Sequence, residues 1–242
     1  MSLPLVITST VFVNSQLTTL TDPKLRLAQY IDSLIFYIKS GDFTDIIICD
    51  NSGFDYSSVD LISTKAKEFC VNLESLHFGG NNTKILALGK GFGEGEIIAH
   101  ILTYSTLLRS KHGFIKITGR IKVLNIRAIL KSINPDINYF QKIGLNPLRQ
   151  RGMVDTRLYY CKRKIFLTTL LDRYKEVNDY QNYYLECAYY DALKNSVRYQ
   201  NFPIIPRFQG ISGSHGGSLT ENATIFYIKL FINYLFVKLH IT

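Results

Sequence analysis

The run Asp45-Ile46-Ile47-Ile48-Cys49, closed by Asp50-Asn51-Ser52-Gly53, constrains the fold of this chain more than any other stretch. Ile46 to Cys49 is apolar at every position, so a strand there must bury both of its faces. Such strands belong to parallel sheets covered by helices on each side. The four residues that follow are turn formers.

The surrounding pattern agrees. Leu3 to Val13 is rich in β-branched residues and predicts a first strand. Thr21-Asp22-Pro23 is a helix start, with Thr21 or Asp22 as N-cap. Leu25, Leu27, Ala28, Ile31, Leu34, Ile35 and Ile38 follow at helical spacing, and Gly41 marks the stop. Further expected elements are a helix over Val59 to Phe69, a strand over Leu73 to Phe78, a polar loop from Gly79 to Lys84, and a strand over Phe114 to Thr118. Gly89 to Gly95 reads as a glycine-rich loop feeding a helix from Glu96 to Leu108. Ile121 to Ile133 reads as partly helical, Met153 to Cys161 as a strand, and Phe166 to Tyr174 and Tyr184 to Lys194 as helices. The alternation predicts an α/β domain with a mostly parallel, doubly wound sheet. In such sheets ligands sit beyond the carboxyl ends of the strands, where the order switches.

A chain of 242 residues, 46% hydrophobic and 19% charged, has the make-up of a globular protein, which excludes collagen, coiled coil and wholesale disorder. Cys49, Cys70, Cys161 and Cys187 are too dispersed for a zinc site or a disulfide scaffold; they read as reduced thiols of an intracellular protein. Met1 to Val13 has no secretory signature, which adds to the expectation of a cytoplasmic location. The net charge is +9, and Leu107 to Lys175 alone carries +13 against −4 for the remainder. Two readings fit that segment: a solvated basic surface, or a face for RNA, a nucleotide diphosphate or an anionic membrane.

Asp50 ends a buried strand, where a carboxylate can accept from a ribose hydroxyl or a base N–H; ordinary turn chemistry explains it equally well. Ser9 and Thr10, and Asn51 beside Asp50, occupy the other strand ends. Gly89-Lys90-Gly91-Phe92-Gly93-Glu94-Gly95-Glu96 lets a backbone approach a ligand, or else is a flexible capped loop. It is neither a P-loop nor a dinucleotide fingerprint. Glu94 and Glu96 would repel a phosphate by about 4 kcal/mol at ~4 Å and an effective dielectric of ~20. A sugar is therefore the expected occupant, with Lys90 nearer the phosphate. Lys116 lies inside an apolar strand and needs a partner; with Arg120 it could face one ligand, or it could face water from an edge strand. Asp155 and Arg157 share a strand face and form either a site or a simple ion pair. Glu186 sits among aromatics, either a buried base or an exposed helical acid. His215 lies in a small-residue loop that reads as a mobile lid or as a linker. Ile225 to Leu239 is apolar and aromatic, a core helix or an interfacial anchor.

Taken together, Ile46 to Gly53 resembles the second strand of GT-A-type nucleotide-sugar glycosyltransferases, whose Asp binds the nucleoside. Lys90-Gly91-Phe92-Gly93-Glu94 and Lys116-Ile117-Thr118-Gly119-Arg120 are similar to the Lys-Gly-x-Gly-Glu and Lys-x-Thr-Gly-Arg motifs of uncharacterised bacterial glycosyltransferases of surface-polysaccharide clusters. The resemblance spans roughly residues 3 to 218. It implies a GT-A-like, Rossmann-like domain over 1–218 with an apolar tail over 219–242. It implies a nucleotide-sugar donor held by Ser9, Thr10, Asp50, Asn51, Lys90, Gly91, Gly93, Glu94, Lys116, Arg120, Arg157 and His215. Glu186 takes the place of the base of inverting members, with Asp155 in reserve. The acceptor is a saccharide or a lipid-linked saccharide; where the tail is an anchor and not a core helix, 225–239 makes a peripheral contact with the inner membrane. The Asp-x-Asp that holds a divalent metal in that family is absent, so no metal or other cofactor is expected; Lys116, Arg120 and Arg157 replace it with fixed cations. The competing expectations are a nucleic-acid or polyanion-binding module, which the resemblance disfavours, and a non-catalytic partner subunit of the same fold.

Overall fold

A computed structural model of the protein describes residues 3–143, 152–194, 197–211, 216–220 and 223–238. The chain runs β1 (Leu5–Ser9), α1 (Pro23–Ser40), β2 (Asp45–Asp50), α2 (Asp60–Glu68), β3 (Asn72–His77), α3 (Asn82–Leu88), α4 (Lys90–Tyr104) and β4 (Gly113–Thr118). It continues with β5 (Ile121–Val123), α5 (Ile126–Ser132), β6 (Asn138–Lys142), β7 (Val154–Lys162) and α6 (Arg163–Ile165), then α7 (Leu185–Lys194), β8 (Tyr199–Gln200), β9 (Phe208–Gly210) and α8 (Ala223–Lys238).

Seven strands form one sheet in the order β3-β2-β1-β4-β7-β6-β8. The pairs β2–β3, β1–β2, β1–β4 and β6–β8 are parallel, and β7 alone runs against both of its neighbours. This is the mixed, mostly parallel α/β domain that the sequence predicts, Rossmann-like in layout. Strands β1, β2 and β3 step outward in one direction, and β4 returns to the other side of β1. The switch in strand order therefore lies between β1 and β4.

Alternation along the central strands divides the core. Leu5, Ile7, Ile46, Ile48, Ile115 and Ile117 pack toward α1, α2 and α5, while Val6, Ile47, Cys49 and Phe114 pack toward α4 and α7. Helix α1 begins and ends as expected. Asp22 Oδ1 accepts from the backbone N–H groups of Lys24 at 2.8 Å and Leu25 at 3.1 Å, and Gly41 closes the helix in the left-handed region at φ 67°. Its buried face is turned from the apolar stripe, however. It consists of Arg26, Tyr30, Ser33, Leu34, Tyr37 and Ile38, and Leu25 is exposed.

Other expectations change. The first strand is only Leu5–Ser9, because Thr10 onward turns across the strand ends. The segment Gly89 to Gly95 is not a loop: α4 starts at Lys90 and contains its glycines. Ile121 to Ile133 divides into β5 and α5, and the stretch read as a helix from Phe166 is a π-helical turn, Phe166–Leu170, followed by a 3-10 turn, Arg173–Glu176. Strands β6, β8 and β9 have no counterpart among the elements that the sequence pattern predicts. The tail helix α8 is tied to the body by Asn233, whose Nδ2 donates to the Phe202 carbonyl at 3.0 Å, and it leaves Tyr227, Ile228 and Phe231 exposed. No helix among the described residues is long and apolar enough to cross a membrane.

Candidate functional site

A cavity of about 260 Å³ opens at the switch point. Its walls come from the ends of β1 (Thr8, Ser9, Thr10), β2 (Asn51) and β4 (Thr118, Arg120), from the start of β7 (Thr156, Arg157), from α4 (Lys90, Gly93, Glu94), from α7 (Glu186) and from α1 (Arg26, Tyr30). The reversed direction of β7 matters here. It sets the first residues of β7 beside the last residues of β4, so Thr156 and Arg157 reach the same rim as Arg120.

Below this rim, Asp50 organises the two first loops. Its Oδ2 accepts from Ser9 Oγ at 2.7 Å and the Val11 N–H at 2.9 Å; its Oδ1 accepts from the Ser52 N–H at 2.7 Å, Ser52 Oγ at 2.5 Å and the Phe54 N–H at 3.2 Å. Asp50 is fully buried and does not line the cavity. Its neighbours do: Thr10 Oγ1 donates to Asn51 Oδ1 at 2.7 Å, and Asn51 Nδ2 donates to the Gly93 carbonyl at 3.3 Å. The carboxylate thus presents Ser9, Thr10 and Asn51 to the cavity instead of facing it.

The glycines of α4 serve packing. A Cβ on Gly95 would stand 2.0 Å from the Cβ of Tyr174, so only glycine lets the helix lie against that turn. The Gly91 N–H donates to Asp179 Oδ2 at 3.0 Å. A buried carboxylate of the chain itself therefore takes the helix start that the sequence offered to a ligand. Burial pushes that Asp179 carboxyl above its ordinary range, and the Gly91 N–H pulls it back. Gly91 lies outside the cavity wall; Lys90, Gly93 and Glu94 lie on it.

Lys116 follows the parity of Phe114 and faces α4. Its ammonium donates to Glu94 Oε1, to Thr118 Oγ1 at 2.9 Å and to the Thr156 carbonyl at 2.6 Å. An ammonium has three donors, so all of them are taken inside the protein. Lys116 is fully buried and absent from the cavity wall. The expected pairing of Lys116 with Arg120 on one ligand is replaced by an ion pair with Glu94. Glu186 joins this network through Thr156, whose Oγ1 donates to Glu186 Oε1 at 2.8 Å. Burial first, then the Glu94 charge, hold the Glu186 carboxyl above its ordinary value.

Asp155 and Arg157 form the simple ion pair: Arg157 Nη2 reaches Asp155 Oδ2 at 2.6 Å and Nε reaches Oδ1 at 2.9 Å, and the guanidinium lies 4.4 Å from the Phe208 ring centre. Asp155 is buried and is not on the cavity wall. Arg120 is on the wall, delivered there by Gly119. A Cβ on Gly119 would meet the Thr8 carbonyl at 2.5 Å, so the Thr-Gly-Arg turn closes against β1 only with glycine. His215 lies outside the described residues. Among the described residues, no three His, Cys, Asp or Glu side chains converge as metal ligands.

Sequence reasoning missed Arg26, Tyr30, Thr118 and Thr156 as wall residues. The signal for the first two was present. Arg26 stands four residues before Tyr30 on the very face of α1 that is buried, but a search for apolar periodicity passes over a charged residue.

No protein-family model matches the chain, and no curated protein matches it. Among solved structures, the chain is similar to HddC from Yersinia pseudotuberculosis at a TM-score of 0.43 and 14% identity, over 86% of this chain and 93% of that one. A likeness of that degree has no bearing on activity or substrate.

Proposed function

We propose that this protein is a glycosyltransferase that moves a sugar from a nucleotide-sugar donor to a saccharide hydroxyl in surface-polysaccharide synthesis, with inversion. The observation that carries the reading is the composition of the switch-point cavity: a carboxyl with a raised proton affinity, Glu186, stands in one wall with the guanidinium of Arg120 in the same enclosure. The acceptor oxygen bonds to the anomeric carbon as that carbon's bond to the diphosphate oxygen breaks. Glu186 takes the acceptor proton, and the diphosphate leaves with the bonding electron pair. A carboxylate whose pKa lies nearer neutrality is a stronger base for a sugar hydroxyl than an ordinary one. The hydroxyl and amide groups of Ser9, Thr10 and Asn51 are suited to the donor's hydroxyls. Polyanion binding draws less support, because Lys116 and Arg157 of the basic segment are ion-paired within the fold. The lipid of a lipid-linked acceptor would be met by Tyr227, Ile228 and Phe231, the exposed apolar residues of α8.

A thermal-shift panel of nucleotide sugars tests the donor: a ligand at 100 times its dissociation constant adds about 2.7 kcal/mol of stability. With the donor found, Glu186→Gln is expected to keep donor binding and to lower kcat by ~10²–10⁴-fold. Turnover near that of the wild type would remove Glu186 from the mechanism.

A further inference from the structure

Arg26 in the first turns of α1 and Arg120 just after β4 line the same cavity. They are only 4% and 8% exposed. Both guanidiniums lie against one ring, 5.7 Å and 5.9 Å from the centre of Tyr30. The described contacts of both are neutral. Arg26 Nε and Nη2 donate to the Thr10 carbonyl at 2.8 and 2.7 Å, Nη1 donates to the Leu20 carbonyl at 3.0 Å, and Nη2 also reaches Tyr30 Oη at 3.1 Å. Arg120 Nη1 donates to Gln29 Oε1 at 3.0 Å. Among the described residues, no carboxylate comes within ion-pair distance of either. Asp50, whose charge Arg26 feels, turns its oxygens to its own loops.

Two buried like charges with no ion-paired carboxylate among the described residues are costly: each loses hydration and each repels the other. Burial, joined by the Arg120 charge and opposed by Tyr30, lowers the Arg26 pKa. The fold accepts this cost at one wall while it neutralises Lys116 and Arg157 a short way off. A ligand with two negative charges would remove the repulsion and take up the unused donors of Arg120.

We propose that Arg26 and Arg120 form a seat for a phosphate or diphosphate group, supplying its counter-charge from the protein itself. That the group belongs to a nucleotide sugar rests on the glycosyl-transfer reading above; the seat does not.

The probe is inorganic pyrophosphate, titrated into the full chain in excess EDTA and followed by calorimetry. The expected result is binding without divalent metal, weakened roughly tenfold or more in Arg120→Gln. Arg26 also holds two loop carbonyls, so Arg26→Lys, which keeps the charge but loses the fork, is the companion variant; it too should bind pyrophosphate more weakly. Lys65→Gln on α2 serves as a control for general charge and should leave affinity unchanged. Pyrophosphate affinity that is the same in both arginine variants as in the wild type, or that appears only on adding magnesium, overturns the seat. If nucleotide sugars stabilise the chain equally in wild type and Arg120→Gln, the seat fails and the glycosyl-transfer reading stands. If pyrophosphate binds through the arginines but no nucleotide sugar does, the seat stands and that reading fails.

Discussion

The backbone N–H of Gly91 donates to Asp179 Oδ2 at 3.0 Å, joining the start of α4 to a turn 88 residues further along the chain. The contact ties a glycine-rich segment, poor in helix propensity, into a regular helix. It also brings Lys90, Gly93 and Glu94 to the cavity wall as parts of a rigid element.

Gly95 tests that packing. By helix propensity alone, Gly95→Ala would stabilise α4 by about 1 kcal/mol. The new Cβ, however, would fall 2.0 Å from Tyr174 Cβ. Overpacking of this kind costs ~1–3 kcal/mol or more, so the variant is expected to be less stable than the wild type. Chemical denaturation measures the sign; a stabilised variant would mean that the helix does not lie on Tyr174.

The buried pair of Lys116 and Glu94 predicts strong non-additivity. Lys116→Met leaves a carboxylate without its cation, and such losses cost about 3–5 kcal/mol. Glu94 is a quarter exposed, so the lower end of that range is expected. In the double variant with Glu94→Gln, most of the loss should be recovered. A double-mutant cycle on unfolding free energies reads the coupling; additive losses would show that the two charges act independently.

Glu186 predicts a pH signature. Its folded pKa is raised above the unfolded value of about 4.3. Folding therefore favours the protonated form. The penalty is nil below the unfolded pKa, grows as pH rises toward the folded pKa, and is complete above it. Glu186→Gln removes that penalty and still offers an oxygen to Thr156. The variant should match wild-type stability near pH 4 and exceed it at pH 8. Thermal unfolding of both proteins across that range checks this; a difference independent of pH would mean that the carboxyl is not held toward its neutral form.

The Asp22 cap, the Gly41 stop, the buried strand at Ile46 to Cys49 and the βα alternation follow from neighbours in sequence, and together they determine a mostly parallel α/β sheet. Asp50, Lys116 and Arg120 stand out in the sequence by their places in or beside apolar strands. Their partners were not legible, because partners are set by contacts between distant segments. Strand parity and the docking of α4 gave Lys116 to Glu94, while the Gly119 turn sent Arg120 into the cavity beside Arg26. One basic side chain thus became half of an internal salt bridge and the other part of a cavity wall. The difference arises because a buried charge goes to whatever counter-charge the packing brings within reach, and only the assembled sheet and helices decide which charges are left facing the cavity.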